Sequence, residues 1–166
     1  MFFEPLSRSH ARSRFDCGIA SLNLYFSTQA LQDQRKHMAT TTVATPDHQE
    51  AAGFYSLCQS SVGLTALPDA LATRLTRQPV VPATLIARLA RDLRFRGQRV
   101  GELLLIDALR TIARTGAEVA SALVVVDAIN PEAAAFYQRF GFLPFESAPK
   151  RLYLPFARIA QQIGGE

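Results

Sequence analysis

The stretch RFRGQRVGELLLIDAL, residues 94–109, contains the features that decide the fold. It follows the apolar run ATLIARLARD, residues 83–92, which predicts a buried β-strand. The apolar run that starts at Val100 is too long for a strand, so it predicts a helix that ends at Gly116. The loop RFRGQRVG between them therefore presents backbone amides and the positive end of a helix to any bound phosphate.

Arginines around this loop favour an anion site over an ordinary turn. A strand, a glycine-containing turn and a helix occur together in many folds without binding anything. Here Gly97 and Gly101 permit a close backbone approach, and arginines stand on both sides of them. Between Arg74 and Gly101 the chain has seven arginines and one acidic residue, Asp92. Such a run suggests a phosphorylated ligand, although a coding bias toward arginine would also produce it.

The rest of the chain alternates between patterns typical of strands and of helices. In chain order it predicts a strand over residues 1–6, a helix from Ile19 to about Lys36, the strands TTTVAT and GFYSLCQSSV around a turn at residues 46–50, the strand VASALVVVDA, the helix PEAAAFYQRF and the strand RLYLPF. We find no linker, repeat or low-complexity tract. The sequence therefore predicts an α/β fold in a single domain over residues 1–166.

Composition excludes several classes of protein. With 48% hydrophobic and 19% charged residues, the chain has enough apolar mass for a core, which argues against disorder. No apolar run approaches the roughly 18 to 20 residues that a membrane helix needs, and the first residues do not resemble a signal peptide. We therefore expect no membrane association and a cytoplasmic location. With only two cysteines and three histidines, the chain has few of the usual metal ligands, so we expect no metal.

A second informative stretch is NPEAAAFYQRFGF, residues 130–142. Asn130 is a good N-cap, the proline after it suits the first helical position, and Gly141 suits the end of the helix. Ala133, Phe136, Tyr137 and Phe140 share one helix face. By pattern alone, Tyr137 is a core aromatic residue with a polar tip.

Together, the two stretches resemble the GNAT superfamily of acetyl-CoA-dependent N-acetyltransferases. The family's loop pattern Q/R-x-x-G-x-G/A matches at Arg94 and Gly97, and its N-x-x-A-x-x-F-Y pattern matches the run from Asn130 to Tyr137. Arg99 departs from the pattern, because it stands where the second glycine or alanine is expected. Its side chain either weakens pyrophosphate binding or adds a contact to a phosphate.

The resemblance implies a central, mostly antiparallel sheet that contains a splayed parallel pair of strands and is flanked by helices. It implies acetyl-CoA as cosubstrate, with pantetheine bound by the strand before the loop and pyrophosphate bound by the loop. The residues that this assigns to coenzyme binding are Leu89, Ala90, Arg91, Arg94, Arg96, Gly97, Gln98, Arg99, Val100, Gly101, Glu102, Asn130 and Phe136. It implies that Tyr137 is the catalytic residue, a general acid that protonates the leaving sulfur. A backbone N–H near Leu89–Arg91 is the expected oxyanion donor.

A narrower resemblance covers nearly the whole chain. FDCG (residues 15–18), QDQRK (residues 32–36), ARLARD, VVVDA and the RLYLPF ending are similar to the GNAT-type toxins of bacterial toxin–antitoxin modules. This resemblance implies acetylation of the α-amino group of aminoacyl-tRNA, an antitoxin of the ribbon-helix-helix type and often a homodimer. Alternatively, Phe15 and Cys17 simply pack under the first helix.

The sequence also suggests how an RNA acceptor would bind and react. Five basic residues are candidates for contacts with tRNA phosphates or an acidic antitoxin segment: Arg35, Lys36, Arg77, Arg88 and Arg91. No histidine or carboxylate stands out as a general base, which favours an α-amine of depressed pKa as acceptor. Two other functions remain open. One is acetylation of a small amine or a protein N-terminus, and the other is a non-catalytic binding module of GNAT fold.

Overall fold

The computed structural model describes residues 1–164. Its strands are β1 (Phe2–Pro5), β2 (Thr40–Thr45), β3 (Gly53–Gly63), β4 (Val80–Arg91), β5 (Leu123–Asp127), β6 (Leu143–Pro144) and β7 (Arg151–Pro155). They form one sheet in the order β1-β2-β3-β4-β5-β7-β6. Its helices are α1 (Ala20–Leu24), α2 (Ala30–Arg35), α3 (Asp69–Leu75), α4 (Val100–Gly116), α5 (Pro131–Arg139) and α6 (Ile159–Ile163). A π-helical turn, Tyr25–Gln29, joins α1 to α2.

The chain divides into two compact units. The first contains Met1–Cys58 and Ala87–Ala108, and the second contains Gln59–Ile86 and the described residues from Leu109 onward. Whether they make one domain, as the sequence predicts, stays a prediction.

Aromatic rings form the core of the first unit. β1, β2 and β3 pair antiparallel, with Phe3 opposite Ala44 and Val43 opposite Phe54. Phe26 stacks on Phe54 with ring centroids 4.4 Å apart, and Phe15 meets both rings edge-on. The helical segment before β2 is therefore held against β3 by buried aromatic surface.

The second unit contains the predicted parallel pair of strands. β4 pairs with β5 in parallel from Ala83 opposite Leu123 to Ile86 opposite Val126. Beyond Ile86, β4 continues for five more residues, to Arg91. β5, β7 and β6 then pair antiparallel. The sheet is thus mostly antiparallel with one parallel pair, as expected, and β4 extends beyond the region in which it pairs with β5.

Several details differ from the sequence predictions. β4 begins at Val80, three residues early, whereas β5 begins only at Leu123, where its pairing with β4 begins. Helix α3 was not predicted, because prolines on both sides of the segment suggested a loop. Pro68 instead precedes the helix, where a proline is tolerated, and Leu71 is buried. None of the helices found in residues 1–164 combines the length and the apolar character that a membrane-spanning segment requires.

Candidate functional site

The loop before α4 has the backbone geometry of an anion site. A 3₁₀ turn, Leu93–Phe95, opens the loop, and Gly97 (φ 81°) and Arg99 (φ 59°) adopt the left-handed conformation. The N–H of Leu103 makes the first bond of α4, to the carbonyl oxygen of Arg99 at 3.0 Å. The N–H groups of Val100–Glu102 precede that bond and have no acceptor within the helix. Such a set of free amides at a helix start suits a phosphate group.

Arg99 occupies a position where the chain conformation favours glycine. The family pattern also fits the loop in a second register, from Arg96 to Gly101, and in both registers Arg99 replaces a glycine. Its Nη2 lies 2.8 Å from a carboxylate oxygen of Glu102, and its side chain is 76% exposed. The departure therefore creates backbone strain at Arg99, and its guanidinium already has an acidic partner.

The guanidinium of Arg94 forms ion pairs with two acidic side chains. Its Nε and Nη2 donate to the two carboxylate oxygens of Asp92 at 2.9 and 3.0 Å, and its Nη1 donates to Glu50. Burial raises the pKa of Asp92, but hydrogen bonds from Arg94 and Asp16 outweigh burial and hold that pKa below its usual value. Asp92 and Glu50 were not predicted from the sequence as site residues. A signal for Asp92 existed, because it is the one acid in the arginine-rich run. The predicted coenzyme contact of Arg94 stays a prediction.

The last residues of β4 combine close backbone packing with an unsatisfied donor. A Cβ placed on Gly53 would lie 2.8 Å from the carbonyl oxygen of Ala90. The Nε of Arg91 is buried and has no hydrogen-bond partner among residues 1–164. Since a buried donor without a partner is costly, this nitrogen suits a ligand acceptor atom. The free amides at the start of α4 and the Nε of Arg91 therefore fit an anionic, extended molecule such as coenzyme A.

Tyr137 lies on a short, well-capped helix in the second unit. The side chain of Asn130 accepts a hydrogen bond from the N–H of Ala133 at 2.7 Å, and Gly141 ends the segment with φ 86°. Tyr137 is 6% exposed and packs its ring against Phe136 and Phe142. Burial raises the pKa of its phenol, so the hydroxyl stays protonated well beyond neutral pH.

Comparison with known proteins agrees with these features. The model of the Acetyltransferase (GNAT) family matches residues 20–142. The chain belongs to the GNAT acetyltransferase family. A probable toxin TacT from Sinorhizobium fredii is 30% identical over 97% of this chain and 94% of its own. A tRNA-acetylating toxin from Mycobacterium tuberculosis is 30% identical over 84% of this chain and 82% of its own.

Solved structures extend the comparison to the fold. The structure of AtaT complexed with acetyl-methionyl-tRNAfMet has a TM-score of 0.88 at 26% identity and covers 96% of this chain and 97% of its own. The structure of AtaTR bound with AcCoA has a TM-score of 0.82 at 28% identity, with 96% of each chain covered. The sequence prediction of a GNAT-type toxin fold is therefore confirmed, as is acetyl-CoA as the cosubstrate of an N-acetyltransferase.

The five basic residues predicted to contact RNA differ in exposure. Arg35 and Lys36 are exposed at the end of α2, and Arg77 is exposed in the second unit. Arg88 is half-buried, with its guanidinium carbon 3.5 Å from the centroid of the Tyr25 ring. Arg88 and Arg91 are three apart on one strand, so their side chains leave opposite faces of it. Their roles in RNA binding stay predictions.

Metal ligands are not clustered in the part of the chain that the structure describes. Among residues 1–164, no three histidine, cysteine or acidic side chains come together in a way that could hold a metal ion.

Proposed function

We propose that this protein transfers the acetyl group of acetyl-CoA to the α-amino group of aminoacyl-tRNA and so blocks translation. The observation that carries the proposal is similarity over almost the entire chain to toxins, together with the structural match to AtaT in complex with acetyl-methionyl-tRNAfMet. The relatives also support an antitoxin partner, because AtaT is known in complex with AtaR. We propose that this antitoxin is of the ribbon-helix-helix type and that the protein acts in the cytoplasm.

In this proposal the end of β4 and the first residues of α4 bind the coenzyme. The N–H groups of Val100–Glu102 hold the pyrophosphate, and the strand end Leu89–Arg91 binds the pantetheine arm. A backbone N–H of that strand end stabilises the oxyanion, an effect that contributes about 3 to 4 kcal/mol in enzymes of known mechanism. Acetyl-CoA supplies an activated thioester, whose carbon the amine attacks.

Tyr137 completes the reaction by supplying a proton. As the carbon–sulfur bond breaks, its hydroxyl donates a proton to the sulfur, and the attacking nitrogen loses its own proton to solvent. An α-amino group has a pKa of about 8, against about 10.4 for a lysine side chain, so more of it is neutral near pH 7. An acceptor of this kind reacts without a strong general base.

The experiment that tests this proposal compares acceptors. Purified protein is supplied with labelled acetyl-CoA and with aminoacyl-tRNA, uncharged tRNA, a lysine peptide or a small amine. We expect acetyl transfer to aminoacyl-tRNA alone at an appreciable rate. Faster transfer to the lysine peptide or the small amine would refute the proposed acceptor. Absence of stabilisation by acetyl-CoA, which at a hundred times its Kd adds about 2.7 kcal/mol, would instead indicate a non-catalytic binding module.

A further inference from the structure

The FDCG segment, residues 15–18, has no part in the chemistry proposed above, yet it is tightly organised. Phe15 is buried among the aromatic rings of the first unit. The Asp16 side chain accepts hydrogen bonds from the N–H of Gly18 at 2.8 Å and from the amide of Asn23 at 3.0 Å. The amide oxygen of Asn23 in turn accepts from the N–H of Cys17 at 2.8 Å. The segment is therefore fixed to the core at one end and to α1 at the other.

The FDCG segment forms direct hydrogen bonds with the residues at the start of the phosphate-binding loop. The N–H of Asp16 donates to a carboxylate oxygen of Asp92 at 3.0 Å, and the N–H of Leu93 donates to the carbonyl oxygen of Asp16 at 2.9 Å. The Leu93 side chain also approaches the backbone of Gly18, which is left-handed with φ 85°. Two opposed hydrogen bonds of this kind fix both the position and the direction of the loop's first residues.

Asp92 joins the segment to the loop a second time through Arg94. Its side chain is only 1% exposed, and besides Asp16 it accepts hydrogen bonds from the backbone N–H of Arg94 at 2.8 Å and from the Arg94 guanidinium. Glu50 holds the remaining arm of that guanidinium. Every lone pair of the buried carboxylate thus serves to hold the segment and the loop together. We call the five residues Asp16, Asn23, Glu50, Asp92 and Arg94 the Asp92 clamp.

The loop needs such support because its own internal hydrogen bonds stabilise it only weakly. Residues 96–99 are exposed, and the loop's internal bonds, from the N–H of Arg96 to Leu93 and of Gln98 to Phe95, are long at 3.2 and 3.3 Å. Arg99 is held in a left-handed conformation that costs a residue with a side chain about 1 to 3 kcal/mol. A loop with weak internal bonds and a strained residue keeps one conformation only if the surrounding structure imposes it.

We infer that the Asp92 clamp positions the phosphate-binding loop for coenzyme A. Asp16, Asn23, Asp92 and Arg94 are then positioning residues, and the pyrophosphate is bound by the amides that they hold in place. The inference rests on the proposed function in one respect, since it takes the loop before α4 as the coenzyme site. It departs from the sequence prediction for Arg94, because a guanidinium bound to two carboxylates acts through the loop and not on the phosphate.

Two substitutions test the Asp92 clamp without removing an apolar side chain from the hydrophobic core. Asn23→Ala removes the hydrogen bonds that Asn23 makes to Asp16 and Cys17 of the FDCG segment. Asn23 is linked to the loop through Asp16, so the substitution acts on the loop indirectly. Arg94→Lys keeps the positive charge but loses the fork that grips Asp92. We expect each to raise the Kd for coenzyme A about tenfold, measured by calorimetry, with kcat at saturating acetyl-CoA within about twofold of wild type. Arg114→Lys, at an exposed position late in α4, is the matched control and leaves the Kd unchanged.

Two further measurements separate positioning from general loss of structure. S-acetylpantetheine lacks the pyrophosphate, so its KM is expected to stay the same in all variants while the KM for acetyl-CoA rises. In the free protein, hydrogen exchange of the amides of residues 96–102 is expected to accelerate in Asn23→Ala and Arg94→Lys but not in Arg114→Lys.

Several outcomes would overturn the inference. One is full coenzyme affinity in Arg94→Lys with loss in Arg94→Gln, since this would show that the charge of Arg94 acts directly on the phosphate. Another is unchanged exchange and unchanged Kd in Asn23→Ala. If the wild-type protein itself failed to bind coenzyme A, the proposed function would fail, and the exchange measurement on the free loop would still decide whether the clamp exists.

Discussion

A single hydroxyl distinguishes Tyr137 from the phenylalanines that pack around it. Tyr137→Phe removes the proposed proton donor while keeping the buried ring, so we expect a stable protein that binds acetyl-CoA normally. General acid catalysis typically contributes 10² to 10⁴-fold, and we expect kcat to fall by about that range. Steady-state kinetics with aminoacyl-tRNA measures the effect. Tyr153→Phe, at another buried tyrosine of the same unit, is the control and should keep wild-type kcat.

The raised pKa of the Tyr137 phenol also has a consequence for stability. The folded protein keeps this proton at a pH where the unfolded chain, with a tyrosine pKa of about 10, releases it. The resulting stabilisation is complete below pH 10 and is lost as the pH rises further. In urea unfolding between pH 9 and about 11, wild type should therefore lose about 1 kcal/mol more than Tyr137→Phe. Parallel losses in the two proteins would contradict this.

Arg99 permits a test of backbone strain in the loop. Arg99→Gly relieves the left-handed strain but frees the unfolded chain, so these effects offset and the free energy of unfolding should change little. Arg99→Val places a β-branched residue at the same φ and should cost about 1 to 3 kcal/mol. Urea denaturation measures both. Equal stability of the glycine and valine variants would show that the loop does not hold the left-handed conformation.

Strand β3 has a glycine at each end, and only one of them is crowded. A Cβ on Gly53 would meet the Leu104 side chain at 2.6 Å and the Ala90 carbonyl oxygen at 2.8 Å, whereas Gly63 has nothing within 4 Å. Gly53→Ala should therefore destabilise the fold by about 1 to 3 kcal/mol and raise the KM for acetyl-CoA, because Ala90 belongs to the strand end that we propose binds pantetheine. Gly63→Ala is the matched control and should be nearly neutral. Thermal unfolding and kinetics distinguish the two.

Elements with their own local signals could be predicted from the sequence. The strand β4, the helix α4 and the capped helix α5 have clear periodicity, an N-cap or a closing glycine, and all three were found. The two-residue strand β6 and the π-helical turn at Tyr25 have no such signals. The candidate site likewise has one part that local sequence signals predict and one part that they do not. The loop could be located, but the pairing of Arg94 with Glu50, 44 residues away, depends on tertiary packing that no local pattern encodes.

At the scale of the whole molecule, the net charge of +4 predicts how binding to tRNA responds to salt. Each phosphate contact contributes about 0.7 to 0.9 to the slope of log affinity against log salt. Replacing the exposed Arg35, Lys36 and Arg77 by glutamine should lower the magnitude of that slope by about 2 to 3 and weaken tRNA binding mainly at low salt. Filter binding at several salt concentrations measures it. An unchanged slope would show that these residues do not contact RNA.

The proposed acceptor atom is tested most directly by mass spectrometry of charged tRNA. Aminoacyl-tRNA is incubated with the protein and acetyl-CoA, digested to its terminal aminoacyl-adenosine and fragmented. The account predicts one added acetyl group on the α-nitrogen of the amino acid, formed with wild type and formed about 10² to 10⁴-fold more slowly with Tyr137→Phe. Unmodified aminoacyl-adenosine, or an acetyl group on a base, ribose or side chain, would contradict it.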